Sequence, residues 1–182
     1  MNREPQPNTD YPAPASRGPD MASGPGRTLN LPGFGPLTRI ETDFGLCPAQ
    51  ALRLRDRVRL RSGRFCPLAR VNRLLLDESF LERHPEAQPV LVLPNRLGHG
   101  MPSEPVLLAP GQKLSGNLRL PPTLGTARDL LNAGIAQRRP ERILTYVTFS
   151  FAEPEDVCAS GLWLRVEPPS AKDLGDDSDD QA

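Results

Sequence analysis

Apolar and polar positions alternate in short runs along most of this chain, and few stretches show the 3.6-residue rhythm of a helix. Leu37–Thr42 alternates, as do Val58–Arg61 and part of Leu68–Leu74, the period expected of half-buried strands. Pro89-Val90-Leu91-Val92-Leu93 is a brief apolar run closed by Pro94-Asn95. Arg142–Phe151 is the longest strand candidate, carrying β-branched and aromatic residues at Ile143, Tyr146, Val147, Phe149 and Phe151, and Leu162–Val166 is another. Two short helices are expected. One spans Asp77–His84, with Asp77 capping and Phe80 and Leu81 facing inward. The other spans Thr126–Asn132, with Thr126 as N-cap and Asp129 answering three residues later. Many short strands punctuated by proline and glycine predict an all-β domain.

Composition sets its limits. The 182 residues include 22 prolines and 15 glycines, concentrated toward the ends. Residues 1–32 carry almost no apolar clusters and cannot bury enough surface to offset their ordering entropy, so a disordered tail is expected there. Residues 33–168 form the expected β domain. Residues 169–182, with Asp173, Asp176, Asp177, Asp179 and Asp180, read as an acidic, solvated, disordered tail.

Basic and acidic side chains balance at 22 each, so bulk charge selects neither nucleic acid nor an anionic membrane. Only Lys113 and Lys172 are lysines, an arginine bias that genome composition explains as readily as phosphate recognition. Cys47, Cys66 and Cys158 lie far apart without C-x-x-C spacing. Neither a zinc site, a disulfide framework nor a cofactor is indicated. No run is long enough to span a bilayer, and Met1–Pro7 lacks the apolar core of a secretory signal. A cytoplasmic location with no membrane partner is expected.

One pattern invites a binding reading. Arg53, Arg55, Arg57, Arg59 and Arg61 alternate with Leu52, Leu54, Asp56, Val58 and Leu60, as on a strand with an arginine-lined outer face. Arg53, Arg57, Arg59 and Arg61 are therefore candidate contacts for an anionic ligand or nucleic acid. Against this, Asp56 breaks the apolar side and no aromatic residue interleaves to stack on bases. A solvated face is the expectation, and nucleic acid is not an expected partner.

The stretch Gly33-Phe34-Gly35-Pro36-Leu37-Thr38-Arg39-Ile40-Glu41-Thr42-Asp43-Phe44-Gly45 resembles the opening block of bacterial Hedgehog/intein (Hint) domains, Cys-Phe-x-x-Gly-Thr-x-Ile-x-Thr-x-x-Gly. Leu52–Val58 is similar to that family's Leu-x-x-Gly-Asp-x-Val, with Arg55 at the usual glycine. Pro89–Pro102 and Glu104–Leu114 resemble its Pro-Val-x-Ile-x-x-x-x-Leu-Gly-x-Gly-x-Pro and Asp-Leu-x-Leu-Ser-Pro-x-His-x-Leu. Tyr146–Phe151 and Gly161–Trp163 are similar to its Tyr-Val-His-Leu block and trailing glycine. The resemblance implies a compact, disc-like all-β fold with one or two short helices.

It also implies a chemistry that can be checked position by position. A Hint domain moves the preceding acyl group onto the side chain of its first residue, which needs a thiol or hydroxyl there. It also needs a histidine that protonates the departing amide nitrogen, beside a Ser or Thr three residues earlier. The matching positions are Gly33, Gln112 and Ala109. Gly33 has no nucleophile, and glutamine cannot shuttle a proton near neutral pH. Thr148 and Pro154, or a neighbour of it, stand where later histidines are usual, and His84 and His99 lie outside all these positions. The resemblance therefore implies a self-cleaving scaffold degenerate at Gly33, Ala109 and Gln112, acting as a binding or regulatory module with a protein partner. The alternatives are residual autoprocessing by a rearranged site and anion binding through the arginine face. Cys47, Cys66 and Cys158 are expected to be small buried hydrophobes, and His99 a surface-turn residue.

Overall fold

The computed structural model of the chain describes residues 29–116, 121 and 123–168; the remainder of the two expected tails lies outside these residues. Fourteen elements follow one another: β1 (Arg39–Thr42), β2 (Gly45–Pro48), β3 (Arg57–Arg59), β4 (Phe65–Pro67), β5 (Arg70–Leu76), α1 (Glu78–Arg83), β6 (Val90–Val92), β7 (Val106–Leu108), β8 (Lys113–Leu114), α2 (Ala127–Asn132), β9 (Gln137–Arg138), β10 (Leu144–Ser150), β11 (Glu155–Ala159) and β12 (Leu162–Val166). One sheet has the order β4-β3-β1-β11-β12-β8, with β2 also on β1; β7-β6-β9 form a second, and β5 and β10 a long antiparallel ribbon.

The ribbon is the spine. Its register pairs Leu76 with Leu144, Leu74 with Tyr146, Asn72 with Thr148 and Arg70 with Ser150. Cross-strand partners share a face, so these four pairs line one side. Leu74, Leu76, Leu144 and Tyr146 belong to a smaller core with Leu81, Ala87 and Ala109. On the opposite side Val71, Val147 and Phe149 join the main core, which also holds Ile40, Val58, Val90, Leu108, Val157 and Leu164. Phe34 stacks on Phe149 with ring centroids 4.9 Å apart, and Phe151 meets Phe149 edge-on at 6.2 Å. Both faces of β10 are buried, which is why its sequence reads as a nearly unbroken apolar and aromatic run.

Both helices start where their capping chemistry places them. Asp77 accepts from the Phe80 N–H at 2.8 Å, and Leu81 is the buried residue of α1. Thr126 and Asp129 close a capping box, the Asp129 carboxylate accepting from the Thr126 N–H at 2.8 Å. No helix among the described residues is long and apolar enough to cross a membrane.

The expected arginine strand is interrupted. Asp56 accepts from the Arg53 N–H at 2.8 Å and returns its own N–H to the Arg53 carbonyl at 3.1 Å. The residue that broke the alternation thus closes a turn. Arg55 sits in that turn at φ +72°, and pairing resumes only at Arg57. Leu54 is consequently exposed instead of inward.

Candidate functional site

The Gly33-Phe34-Gly35 segment ties the ribbon to the smaller sheet. Phe34 bridges to both Leu108 and Val147: its N–H donates to the Val147 carbonyl at 2.9 Å, and the Val147 N–H donates back at 2.8 Å. Gly33 is thereby fixed at the seam. Its carbonyl accepts from the Ala109 N–H at 2.9 Å, and its own N–H donates to Oε1 of Gln112 at 3.1 Å. The three positions singled out by resemblance therefore meet, although they are remote in sequence.

Gln112 is only 3% exposed, and its amide is fully used. Besides accepting from Gly33, its Nε2 donates to the Arg165 carbonyl at 2.8 Å and the Lys113 carbonyl at 3.2 Å. A side chain of this length and both polarities clasps the first residue of the domain to β12. Gly33 itself has φ +142°, where side-chain-bearing residues are strained. A Cβ there would lie 3.2 Å from both Thr148 Cγ2 and Tyr146 Cβ and 3.3 Å from the Val147 carbonyl oxygen. Ala109 is buried and packs in the smaller core with Tyr146.

The chain just before Gly33 is also held. Residues 29–32 lie on the tail side of the boundary expected from composition, yet Leu29 is 7% exposed. Its carbonyl accepts from Arg128 Nη2 at 2.7 Å, and the Leu31 carbonyl accepts from the Gly111 N–H at 2.9 Å. The approach leaves no room for a side chain at Gly111, whose Cβ would come within 2.6 Å of the Asn30 main chain.

Beside this seam lies a cleft of about 580 Å³, bordered by Pro32, Gly33, Gln112, Thr148, Arg70 and Arg165 among others. Lys113 is ion-paired to Glu167 at 3.0 Å and Arg165 to Asp156 at 2.9 Å. Among the described residues, no group of three or more His, Cys, Asp or Glu side chains could hold a metal ion.

The other candidates lie elsewhere. Arg59 is ion-paired to Glu41 at 2.7 Å. Arg61 reaches the Gly116 carbonyl at 2.9 Å, stands 3.9 Å from Asp156 and lies over the Trp163 ring at 5.5 Å. Arg57 donates to the Phe65 carbonyl at 3.4 Å, and Arg53 stands apart across the turn at 54–55. These contacts bind the arginines to their own sheet and spread them over it. The cysteines are free and partly buried, more open than expected. Burial and, second, the Asp56 carboxylate raise the Cys47 thiol above its ordinary range, and burial raises Cys158. Neither is an activated thiolate. His84 ends α1, packing on Phe80 at 4.6 Å and pairing with Glu86 at 3.2 Å. His99 is exposed in a turn.

Sequence reasoning missed Ser150, a buried hydroxyl on β10, and Arg70 opposite it. Only the ribbon register, which no local pattern reveals, brings them to the cleft.

A comparison with curated protein sequences finds no match. Among solved structures, the chain is similar to the gp41-1 intein, with 11% identity, TM-score 0.48, and coverage of 74% of this chain and 98% of that one. It is also similar to the MchDnaB-1 intein, with 9% identity, TM-score 0.45, and coverage of 74% and 99%. The family profile described as the Hint domain matches residues 32–166, the greater part of the chain. With this match spanning the β domain that carries the Gly33–Gln112 seam, the chain belongs to the Hint domain family.

Proposed function

We propose that this Hint domain has lost self-cleavage and serves as a binding module whose recognition surface is the cleft beside Gly33. The observation that carries the reading is the polarity of the Gly33–Gln112 hydrogen bond. The bond that the family chemistry would break is Pro32–Gly33, and the nitrogen that departs must gain a proton. Gln112 instead presents an oxygen to that nitrogen and accepts from it, while its N–H groups are turned to two carbonyls. Gly33 offers no atom to receive the acyl group, and Ala109 offers no hydroxyl to assist. What remains of the site is a satisfied structural clasp next to an open cleft. The arginine side chains at 57, 59 and 61, engaged within the sheet, favour the cleft over the arginine face as the binding surface.

The test is intact mass. The full chain is incubated with dithiothreitol or hydroxylamine, denatured, and weighed. An unchanged mass is expected, and a fragment beginning at Gly33 would overturn the reading.

A further inference from the structure

The ribbon has one edge that the rest of the fold leaves open. β5 runs for seven residues, and β10 is its only strand partner among the described residues. The bonds around Phe34 fix which backbone groups of the ribbon are used. Val147 gives both its N–H and its carbonyl to Phe34, at 2.8 and 2.9 Å. In an antiparallel ladder successive residues turn these groups to opposite sides. Thr148, Tyr146 and Leu144 therefore direct theirs at Asn72, Leu74 and Leu76, and Val71, Arg73 and Leu75 present theirs outward. Asn72, with its amide in the hydrogen-bonding orientation, covers the Val71 carbonyl at 3.1 Å. The N–H and C=O groups of Arg73 and Leu75 have no partner among the described residues. Folds shield such a row with short strands, proline, bulges or charge. β5 is long, continuous in register and free of proline, and Leu75 stands 65% exposed on it.

Charge and composition choose the occupant. Arg73 is exposed at mid-strand, its Nη2 donating to the Gln50 and Leu52 carbonyls at 2.8 and 3.0 Å. Those contacts orient the guanidinium without neutralising it. A second copy paired edge to edge about Arg73 would set two such cations directly opposite each other, which is unfavourable. The chain's own ends suit the edge no better: residues 1–28 are rich in proline and glycine and 169–182 in aspartate, all depleted from strands. The edge starts at the cleft, which Asn72 borders. We infer that β5 takes an extended segment of another protein as an added strand, with a carboxylate side chain opposite Arg73 and apolar ones opposite Val71 and Leu75. This rests on the binding-module reading and specifies its ligand class. Main-chain pairing supplies the affinity, and the three side-chain positions supply the selectivity.

The test is amide hydrogen exchange in the ¹⁵N-labelled full chain, with the capped peptide Thr-Val-Thr-Glu-Thr-Val-Thr as probe. Its palindromic sequence sets glutamate against Arg73 whichever end leads. The Arg73 and Leu75 amides should exchange fast in the free protein and slow about tenfold at a peptide concentration about ten times Kd. Asn72, Leu74 and Leu76, already bonded to β10, should change little. A peptide N-methylated at valine and glutamate, whose N–H groups face β5, should not bind, whereas one N-methylated at threonine should. Replacing the glutamate by lysine should weaken binding about fivefold. Leu75→Pro removes an outward N–H and should abolish the protection of Arg73. Leu75→Ser keeps the N–H but loses the apolar contact; it should weaken binding, and it serves if the proline variant does not fold. Binding by the valine-methylated peptide, equal affinity for the lysine peptide, unchanged affinity in Leu75→Ser, or protection of Arg73 that grows with protein concentration and needs no peptide would each overturn the assignment. The mass assay reads independently: an intact mass with no protection sinks the added strand and leaves the loss of cleavage standing.

Discussion

Arg55 supplies a stringent test, because its sign depends on one backbone angle. It occupies φ +72° in an exposed turn, with its N–H donating to the Leu68 carbonyl at 3.0 Å. A side chain in the left-handed region costs about 1–2 kcal/mol. Glycine removes that cost but gives the unfolded chain extra freedom worth about 0.5–1 kcal/mol. Arg55→Gly should therefore stabilise the fold by about 0.5–1 kcal/mol. For a chain of this size that is a rise of roughly 1–4 °C in melting temperature. Arg55→Ala keeps the strained angle and should stay within about 0.5 kcal/mol of the parent, as exposed substitutions do; Asn, which tolerates this region, should fall between. Urea denaturation monitored by circular dichroism measures all three, with an unchanged m-value confirming a common unfolded state. A glycine variant no more stable than the alanine variant would refute the strain argument.

Gln112→Ala should cost about 2–4 kcal/mol, since it strips partners from the buried Gly33 N–H and from the Arg165 and Lys113 carbonyls; chemical denaturation reads it directly. Gly33→Cys should lose about 2–3 kcal/mol from the positive φ and the crowding by Thr148 and Tyr146, and thiol treatment should still leave its mass whole. Burial holds the Tyr146 phenol well above the ordinary tyrosine range, with Arg138 opposing weakly. The fold thus favours the neutral form: this contribution is complete below about pH 10, where unfolded tyrosine titrates, and fades as pH rises beyond it. Tyr146→Phe should flatten the alkaline loss of stability, at a cost near neutrality of about 1 kcal/mol from the lost bond to the Ala87 carbonyl. A stability–pH profile from 7 to 12 for both proteins checks the sign.

What the sequence made legible was set by the range over which each signal acts. Asp77 and the Thr126/Asp129 pair announce their helices because capping operates within one turn. β10 and β12 are long and apolar enough to stand out. β8 and β9, two residues each, exist only through their partners Leu164–Arg165 and Val90–Leu91, and no local alternation could mark them. The arginine row misled because its period continues through a turn that one Asp56 carboxylate closes. Gly33, Ala109 and Gln112 were brought together by family resemblance, a long-range constraint that periodicity lacks. The clasp polarity needed side-chain geometry.

The grip on residues 29–32 changes what breakage of this backbone would mean. Leu29 is buried, and both it and Leu31 are hydrogen-bonded to groups beyond the seam. That grip rests on a buried leucine side chain and two hydrogen bonds, and the Pro32–Gly33 bond is the tether that gives those contacts their high effective concentration. A cut after Pro32 would turn an intramolecular grip into a bimolecular one that dilution weakens. Breakage at this point would therefore register, in a method that keeps the protein folded, as a concentration-dependent loss of the upstream segment.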